Sequence, residues 1–119
     1  MEDKQATVAD LKDLIGKFVT EREWGQFHNP KNLSMDIACE ASELMEKFLW
    51  LTTQESVEEL TVNRQEIEDE LADVLFGVLS FANTANIDLS RAVSHKLQET
   101  ARKYPVDKSK GKREKYTKL

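Results

Sequence analysis

The chain has little cysteine, proline or glycine. Its single cysteine, Cys39, excludes an intramolecular disulfide and favours a reducing compartment, so the expected location is the cytoplasm. The two prolines, Pro30 and Pro105, lie outside the apolar-periodic segments, and only four glycines occur among 119 residues. The scarcity of proline and glycine favours a helical protein.

Long apolar runs are absent as well. No stretch approaches the roughly 18 consecutive apolar residues that a membrane span requires. Residues 1–4 carry no basic, apolar or small-residue secretion signal. We therefore expect neither export nor a membrane partner.

Basic residues are scarce over most of the chain. Residues 1–105 hold 11 Lys or Arg against 20 Asp or Glu, a net charge of −9, whereas residues 106–119 hold six against two, a net +4. A nucleic-acid-binding surface needs a basic stripe, so the acidic body argues against nucleic acid as a partner. The length suits one domain. The shift in charge predicts a helical domain over residues 1–105 and a basic, flexible tail over residues 106–119.

Apolar side chains recur with a helical period in four segments, and no segment alternates as a strand does. Capping residues mark three of the starts, with Thr7 and Asp10 at the first helix, Ser34 at the second and Asp88 at the fourth. The predicted helices cover residues 8–23, 34–51, 64–86 and 89–104, with a short helical turn near residues 57–60. The expected fold is all-α, a domain of the four-helix bundle type.

Several large apolar side chains fall outside the main stripes, namely Met45, Leu49, Trp50 and Phe76. Surplus apolar surface on the helices of so small a domain usually marks a contact with another subunit. We therefore expect a homodimer or a larger homo-oligomer.

Two segments offset by 30 residues carry the same pattern of carboxylates beside an apolar stripe. The first pair is Glu40 and Glu43, and the second is Glu70 and Asp73. In each predicted helix the pair lies at the same angular offset, on the shoulder of the apolar face. If the two helices pack antiparallel through these faces, the four acids converge, and they then need protons or a divalent cation to coexist.

Acids on a helix are normally solvated surface charges, and Glu43 has Lys47 four residues later as a favourable partner. Against that interpretation, no Lys or Arg lies between Arg64 and Arg91, and the acids in this interval include like-charged pairs four residues apart. The repetition of the pattern and its position beside the core favour a functional cluster.

The ligand types in this cluster indicate a hard cation. All-carboxylate sites suit Mg²⁺ or Mn²⁺, which keep several waters and often bridge to substrate phosphates. Zinc would want His or Cys, and a di-iron bundle would want Glu-x-x-His, but neither His28 nor His95 lies three residues after a glutamate. A magnesium site in a small helical domain suggests phosphoryl or nucleotidyl chemistry.

The acidic pattern resembles the ExxE…ExxD signature of the MazG-like all-α NTP pyrophosphohydrolases, with 26 residues between its halves. The segment 21–33, with its Trp-x-x-Phe-His sequence, resembles the region before the first acidic motif in the dCTP pyrophosphatase branch. Residues 48–51 match the aromatic end of the second helix in that branch, and residues 103–105 match its closing Lys-Tyr-Pro motif. The resemblance covers nearly the whole chain, from about residue 11 to residue 111.

This resemblance implies the all-α NTP pyrophosphatase fold and a homodimer or a homotetramer built as a dimer of dimers. It implies hydrolysis of a nucleoside triphosphate between the α and β phosphates, which yields the monophosphate and pyrophosphate. The expected substrate is dCTP or a related or modified pyrimidine nucleotide, removed to keep the nucleotide pool clean. The alternative is a non-catalytic helical module that binds cations or a protein partner.

The resemblance also implies roles for individual residues. The catalytic residues and ligands of Mg²⁺ or Mn²⁺ would be Glu40, Glu43, Glu70 and Asp73. A carboxylate such as Glu43 or Glu46 would accept a proton from the attacking water. The base pocket would be formed by Trp24, Phe27, His28 and Trp50. The phosphate and sugar contacts, some of them across a subunit boundary, would come from Lys31, Asn32, Lys96, Arg102, Lys103 and Tyr104.

Two positions depart from the branch that the chain resembles. Thr100 stands where the closing motif commonly has asparagine, and a threonine would weaken the contact that the asparagine makes. Gly77 stands where dCTP-specific relatives carry an aromatic side chain near the nucleotide. The missing side chain predicts a larger or reshaped pocket, which would suit a modified pyrimidine or a wider range of nucleotides.

Overall fold

A computed structural model describes all 119 residues, and it contains helices and no strands. The elements are α1 (Val8–Glu21), a 3₁₀ turn (Trp24–Phe27), α2 (Pro30–Glu46), α3 (Thr53–Val62), α4 (Arg64–Ala85), α5 (Leu89–Lys103), α6 (Val106–Ser109) and a second 3₁₀ turn (Tyr116–Lys118). The all-α prediction is confirmed. The chain forms two compact units, residues 1–86 and residues 87–119. None of the helices combines the length and the hydropathy needed to cross a membrane.

Helix α1 starts where the sequence predicts. The Thr7 hydroxyl accepts a hydrogen bond from the Asp10 amide at 3.1 Å, and the Thr7 amide donates to the Asp10 carboxylate at 2.8 Å. This reciprocal capping box satisfies amide groups that the start of a helix otherwise leaves unpaired.

Helix α2 starts four residues earlier than predicted, at Pro30. The sequence predicts Ser34 as the N-cap, but the cap is Asn29, whose side chain accepts a hydrogen bond from the Asn32 amide at 2.9 Å. Pro30 takes the first helical position, where its missing N–H leaves no hydrogen bond unmade. The Ser34 hydroxyl instead donates to the Lys31 carbonyl at 2.8 Å.

The same helix also ends earlier than predicted, at Glu46 instead of Leu51. Residues 47–50 form turns, and Trp50 has a φ of 68°, a left-handed conformation that cannot continue a right-handed helix. Helix α3 follows the Thr52 cap and covers ten residues, where the sequence predicts only a short turn.

Helices α2 and α4 form the main contact of the first unit and run antiparallel. Ile37 of α2 meets Gly77 of α4, whereas Lys47, directly after the end of α2, reaches Glu66, which lies earlier on α4. Residue numbers thus rise along one helix as they fall along the other. The apolar core of the unit consists of Leu33, Ile67, Leu79 and Ala82.

Helix α1 also packs against α4. The Asn83 side-chain amide donates to the Lys12 carbonyl at 2.9 Å, and the rings of Phe18 and Phe76 meet edge-on with centroids 5.8 Å apart. Leu14 and Leu75 line a groove between the two helices, yet they remain 53% and 45% exposed. The first unit therefore covers its own apolar side chains only in part.

The second unit consists of α5 and the segment that follows it. Asp88 caps α5 as predicted, because its side chain accepts a hydrogen bond from the Arg91 amide at 2.9 Å. Residues 106–119 contain α6 and the second 3₁₀ turn, and they place Tyr116 edge-on to Tyr104 with ring centroids 5.9 Å apart. This segment belongs with α5 to the second unit. The four α-helices of the first unit are therefore α1, α2, α3 and α4, and α5 is not one of them.

Candidate active site

Three carboxylates from α2 and α4 converge on one point. Glu40 and Glu43 are three residues apart, which places them on one side of α2, and Glu70 comes from the antiparallel α4. One carboxylate oxygen from each of the three residues lies within 4.8 Å of the other two. These three side chains are therefore close enough to share one cation.

Asp73, the fourth predicted acid, stands at the edge of this cluster. It follows Glu70 by about one turn of α4 and is exposed, and it is not among the three converging carboxylates. Its negative charge nevertheless acts on Glu40, and both residues line one cavity. The second candidate for the proton acceptor, Glu46, lies outside the converging set.

Two buried oxygens in the cluster have no hydrogen-bond partner. They are Oε2 of Glu40 and Oε2 of Glu70. A buried carboxylate oxygen without a donor is costly, because it has lost water and gained nothing in exchange. One bound cation would satisfy both oxygens together.

The surroundings of Glu40 raise its pKa from the ordinary 4.5 to about 7. Burial is the largest cause, since it disfavours the charged form. The interaction with the Glu43 carboxyl adds to it, and the charges of Asp73 and Asp36 act in the same direction. The raised pKa means that, without a cation, Glu40 holds a proton more readily than an ordinary glutamate does.

Lys47 balances part of the negative charge. Its ammonium nitrogen lies 3.1 Å from a Glu66 oxygen and 3.9 Å from a Glu70 oxygen. The hydrogen bond to Glu66 raises the pKa of Lys47, so this side chain stays charged. The spacing in the sequence favours a pair between Lys47 and Glu43, but the structure has ion pairs from Lys47 across to α4 instead.

A cavity of about 530 Å³ opens beside the acids. Glu40 and Asp73 lie on its wall together with four aromatic rings, those of Phe18, Trp24, Phe27 and Phe76. A base can stack on aromatic faces while the phosphates of the same nucleotide approach a cation held by the acids. The cavity therefore combines an aromatic wall for a base with acids that could hold a cation near the phosphates.

The aromatic wall is built around Phe18 of α1. Its ring meets Trp24 edge-on at 5.6 Å and Phe76 edge-on at 5.8 Å between centroids. The Arg22 guanidinium covers the ring at 3.6 Å from the centroid and donates to the Phe18 carbonyl at 3.1 Å. These contacts link α1, the 3₁₀ turn and α4, so that the wall is held by three elements.

Four of the predicted nucleotide contacts line the cavity, namely Trp24, Phe27, His28 and Asn32. The Asn32 side-chain amide also donates to the Phe27 carbonyl at 3.0 Å, which ties the 3₁₀ turn to the start of α2. Lys31 and Trp50 do not line the cavity, and Trp50 is 93% exposed.

The remaining predicted contacts, Lys96, Arg102, Lys103 and Tyr104, belong to the second unit. Within that unit Glu99 pairs with Lys103 at 3.0 Å and with Lys96 at 3.1 Å. The hydrogen bonds from Lys103 and then Lys96 are the main reason why the pKa of Glu99 falls to about 2. Lys103 also lies 5.1 Å from the centroid of the Tyr116 ring. The role of these residues toward a nucleotide stays a prediction.

The cavity wall contains residues that the sequence analysis does not single out. Asp36 precedes Glu40 by one turn on the same side of α2, and Ser80 follows Asp73 by two turns on α4. Phe18 and Leu33 also line the cavity and are not predicted to do so. Helical spacing from the acids is the signal that would have identified Asp36 and Ser80.

Gly77 affects the shape of the pocket only indirectly. It does not line the cavity, and a Cβ at this position would lie 2.9 Å from Ile37 Cγ1 and 3.3 Å from Asp36 Oδ2. The glycine therefore lets α2 approach α4 closely and leaves space for the Asp36 carboxylate.

Comparisons with known proteins show which proteins this chain is similar to. A profile described as the MazG-like family matches residues 36–119. The chain is 36% identical over 117 residues to dCTP pyrophosphatase 1 of Rattus norvegicus, a match that spans 97% of this chain and 69% of that protein. It is 34% identical to dCTP pyrophosphatase 1 of Homo sapiens, with the same coverage. The crystal structure of a pyrophosphatase from Archaeoglobus fulgidus superposes with a TM-score of 0.79 at 38% identity, over 82% of this chain and 91% of that one.

Proposed function

The chain belongs to the MazG-like family, and on that basis we propose that it is a nucleoside triphosphate pyrophosphohydrolase. The proposed reaction breaks the bond between the α and β phosphates and releases the monophosphate and pyrophosphate. The names of the relatives, dCTP pyrophosphatase and pyrophosphatase, support this reaction class. The proposed substrate is dCTP or a related or modified pyrimidine deoxynucleotide, which the enzyme would remove from the nucleotide pool.

One observation carries the proposal, the convergence of acids from two antiparallel helices at the edge of an aromatic cavity. Glu40, Glu43 and Glu70 bring three oxygens within 4.8 Å of one another, and the cavity that Glu40 lines is about 530 Å³ in volume. A purely structural cluster of acids would be expected to pair each carboxylate with a donor. Here Glu40 and Glu70 each keep a buried oxygen free.

The donor set fits a divalent cation, and Mg²⁺ is the proposed cofactor. Mg²⁺ prefers oxygen ligands, and carboxylates commonly supply them. Glu40, Glu43 and Glu70, whose oxygens lie within 4.8 Å of one another, would hold the ion. When bound, the ion neutralises charge on the triphosphate and activates water for attack.

The other proposed roles, proton transfer and nucleotide binding, belong to side chains of this chain. Glu43 is exposed, so water reaches its carboxylate, and it is the proposed acceptor for the proton that the attacking water loses. Trp24 and Phe27 would stack on the base, which is worth about 1–3 kcal/mol per stacked base. Lys31 lies in the first turn of α2 outside the cavity wall, and its contact with a phosphate stays a prediction.

We also propose that the enzyme is a homo-oligomer, a homodimer or a dimer of dimers. Leu71 and Leu75 of α4 are 56% and 45% exposed, and Leu14 of α1 is 53% exposed. In the second unit, Val93 and Leu97 of α5 are 57% and 63% exposed. Apolar side chains exposed on neighbouring turns are typical of a subunit interface. Sedimentation velocity tests this, and a monomer at all micromolar concentrations would contradict it.

The reaction is tested by incubating the pure protein with Mg²⁺ and a panel of deoxynucleoside and nucleoside triphosphates, then resolving the products by chromatography. Monophosphate with pyrophosphate, lost on adding chelator, is the expected result. Orthophosphate would mean that the wrong bond is cleaved. A folded protein that binds Mg²⁺ but releases no product from any nucleotide would favour a non-catalytic cation-binding module.

A further inference from the structure

Asp36 is an acid of the cavity wall that the proposed reaction does not use. It lies on α2 one turn before Glu40, lines the cavity, and makes no ion pair or hydrogen bond. The oxygens that converge for a cation come from Glu40, Glu43 and Glu70, and Asp36 is not among them. Its carboxylate is therefore available to a ligand in the cavity.

The position of Asp36 depends on Gly77. Asp36 Oδ2 lies 3.3 Å from the point that a Cβ on residue 77 would occupy. A larger side chain at position 77 would thus compete with the carboxylate for the same space. The combination of an acid on α2 and a glycine on α4 lets a negative group face the cavity beyond the metal-binding end.

A second polar group on the same wall also lacks a partner. Ser80 is 2% exposed, lines the cavity, and its hydroxyl oxygen has no hydrogen-bond partner. Asp73, Gly77 and Ser80 are spaced by four and then three residues, so they follow one face of α4. Along the antiparallel helices, the acids that bind a cation mark one end of the cavity, and Asp36 and Ser80 lie toward the other.

We propose that Asp36 is a specificity-determining residue that accepts a hydrogen bond from an exocyclic amino group of the nucleotide base, with Ser80 hydrogen-bonding to the same ring. This inference rests on the proposed function, and it names the substrate class as triphosphates of amino-bearing bases, with cytosine preferred over uracil and thymine. A carboxylate accepting from the cytosine amino group is an established mode of base recognition.

The chemical reason is that a carboxylate is only an acceptor. The amino group at C4 of cytosine donates, whereas uracil and thymine present a carbonyl at the same position. A keto base would place its carbonyl oxygen against the Asp36 carboxylate, two acceptors facing each other. A site that hydrogen-bonds one group rejects the analogue that lacks it more strongly than an apolar pocket can.

The test compares pairs of nucleotides that differ only in this group, dCTP against dUTP and dATP against dITP. Catalytic efficiency, kcat/KM, is measured for each nucleotide with the full chain and saturating Mg²⁺. The variant is Asp36→Asn, which keeps the shape and adds a donor. The matched control is Asp13→Asn, the same change at an exposed acid of α1.

The expected result is that the parent enzyme prefers the amino member of each pair, and that Asp36→Asn lowers the ratio of dCTP to dUTP efficiency by about 10- to 100-fold. The efficiency toward dUTP should stay level or rise, and Asp13→Asn should keep the parent ratio. This pattern separates base recognition from a general loss of activity.

Four results would overturn the inference. A parent enzyme that prefers dUTP, or an unchanged ratio in Asp36→Asn, would remove Asp36 from base recognition while leaving the proposed reaction intact. An equal loss toward dCTP and dUTP would assign Asp36 to cation binding or to the chemical step. No turnover of any nucleotide by the parent enzyme would refute the proposed function, and this inference with it.

Discussion

Replacing Gly77 by alanine tests how closely the contact between α2 and α4 determines the geometry of the site. The new Cβ would lie 2.9 Å from Ile37 Cγ1, whereas two carbon atoms pack best at about 3.5–4.0 Å. The helices must therefore separate by roughly 0.6–1.1 Å, or Ile37 must leave its preferred conformation. Such overpacking costs about 1–3 kcal/mol.

Alanine also favours the helical state over glycine by about 0.8–1.0 kcal/mol. The net expectation for Gly77→Ala is a loss of roughly 0–2 kcal/mol, or up to about 10 °C in Tm for a chain of this size. Mg²⁺ affinity should fall as well, because Glu40 and Glu43 on α2 move relative to Glu70 on α4. Thermal unfolding and isothermal titration with MgCl₂ measure the two effects.

Gly16→Ala is the matched control. A Cβ there would lie 3.5 Å from Asn83 Nδ2, an ordinary contact in another helix of the same unit. It should stabilise the protein by up to about 1 kcal/mol and leave Mg²⁺ affinity unchanged. In an Ile37→Ala background, which removes the clashing atom, Gly77→Ala should lose most of its cost. If Gly77→Ala is as stable as Gly16→Ala and binds Mg²⁺ normally, the argument from close helix contact is wrong.

Three further predictions follow from the acids and from the orphaned hydroxyl. Glu43→Gln and Asp73→Asn should each abolish turnover while leaving the circular dichroism spectrum intact, and Glu58→Gln on α3 should remain active. An active Glu43→Gln variant would contradict the metal-site assignment, and an active Asp73→Asn variant would remove Asp73 from the catalytic residues. The pKa of Glu40 rises from 4.5 to about 7 on folding, so the metal-free folded state binds a proton at Glu40 more tightly than the unfolded state does. This proton stabilises the folded state fully below pH 4.5, and the stabilisation is lost as the pH rises through about 7. Chemical denaturation of metal-free protein should therefore show stability falling over this range, and Glu40→Gln should flatten that fall. Ser80→Ala should keep or raise Tm, because it removes a buried hydroxyl with no partner, and it should raise KM for the preferred nucleotide; a large drop in Tm would mean that the hydroxyl is structural.

Local signals in the sequence predict much of the fold. The capping box of Thr7 and Asp10 and the cap at Asp88 mark two helix starts correctly, because these side chains bond to backbone only three residues away. The start of α2 is predicted wrongly because Asn29-Pro30 is equally typical of a turn and of a cap followed by the first helical residue. Only packing of the extra turn, through the buried Leu33, decides between them.

The parts of the site that depend on residue spacing along a single helix can be predicted from the sequence. The two acid pairs occupy equivalent places on α2 and α4, so their approach follows once the apolar faces meet. The cavity is different, since its wall joins Phe18 of α1 to Phe76 of α4 and to Trp24 of the turn between. Those contacts depend on the register of three elements, which no local pattern contains. Gly77 shows the limit most clearly, because its effect comes from Ile37, forty residues earlier in the chain.

The charge balance of the acid cluster explains how the protein tolerates it without a cation. The pKa of Glu40 is raised to about 7, and Lys47, at the C-cap of α2, reaches Glu66 and Glu70 on α4. Both devices reduce repulsion, but neither supplies a partner for the buried Oε2 atoms of Glu40 and Glu70. At the proposed metal site, a proton and a cation would therefore compete for the Glu40 carboxylate. Mg²⁺ affinity should rise as the pH increases from 6 to 8, and an affinity independent of pH would place the cation away from Glu40.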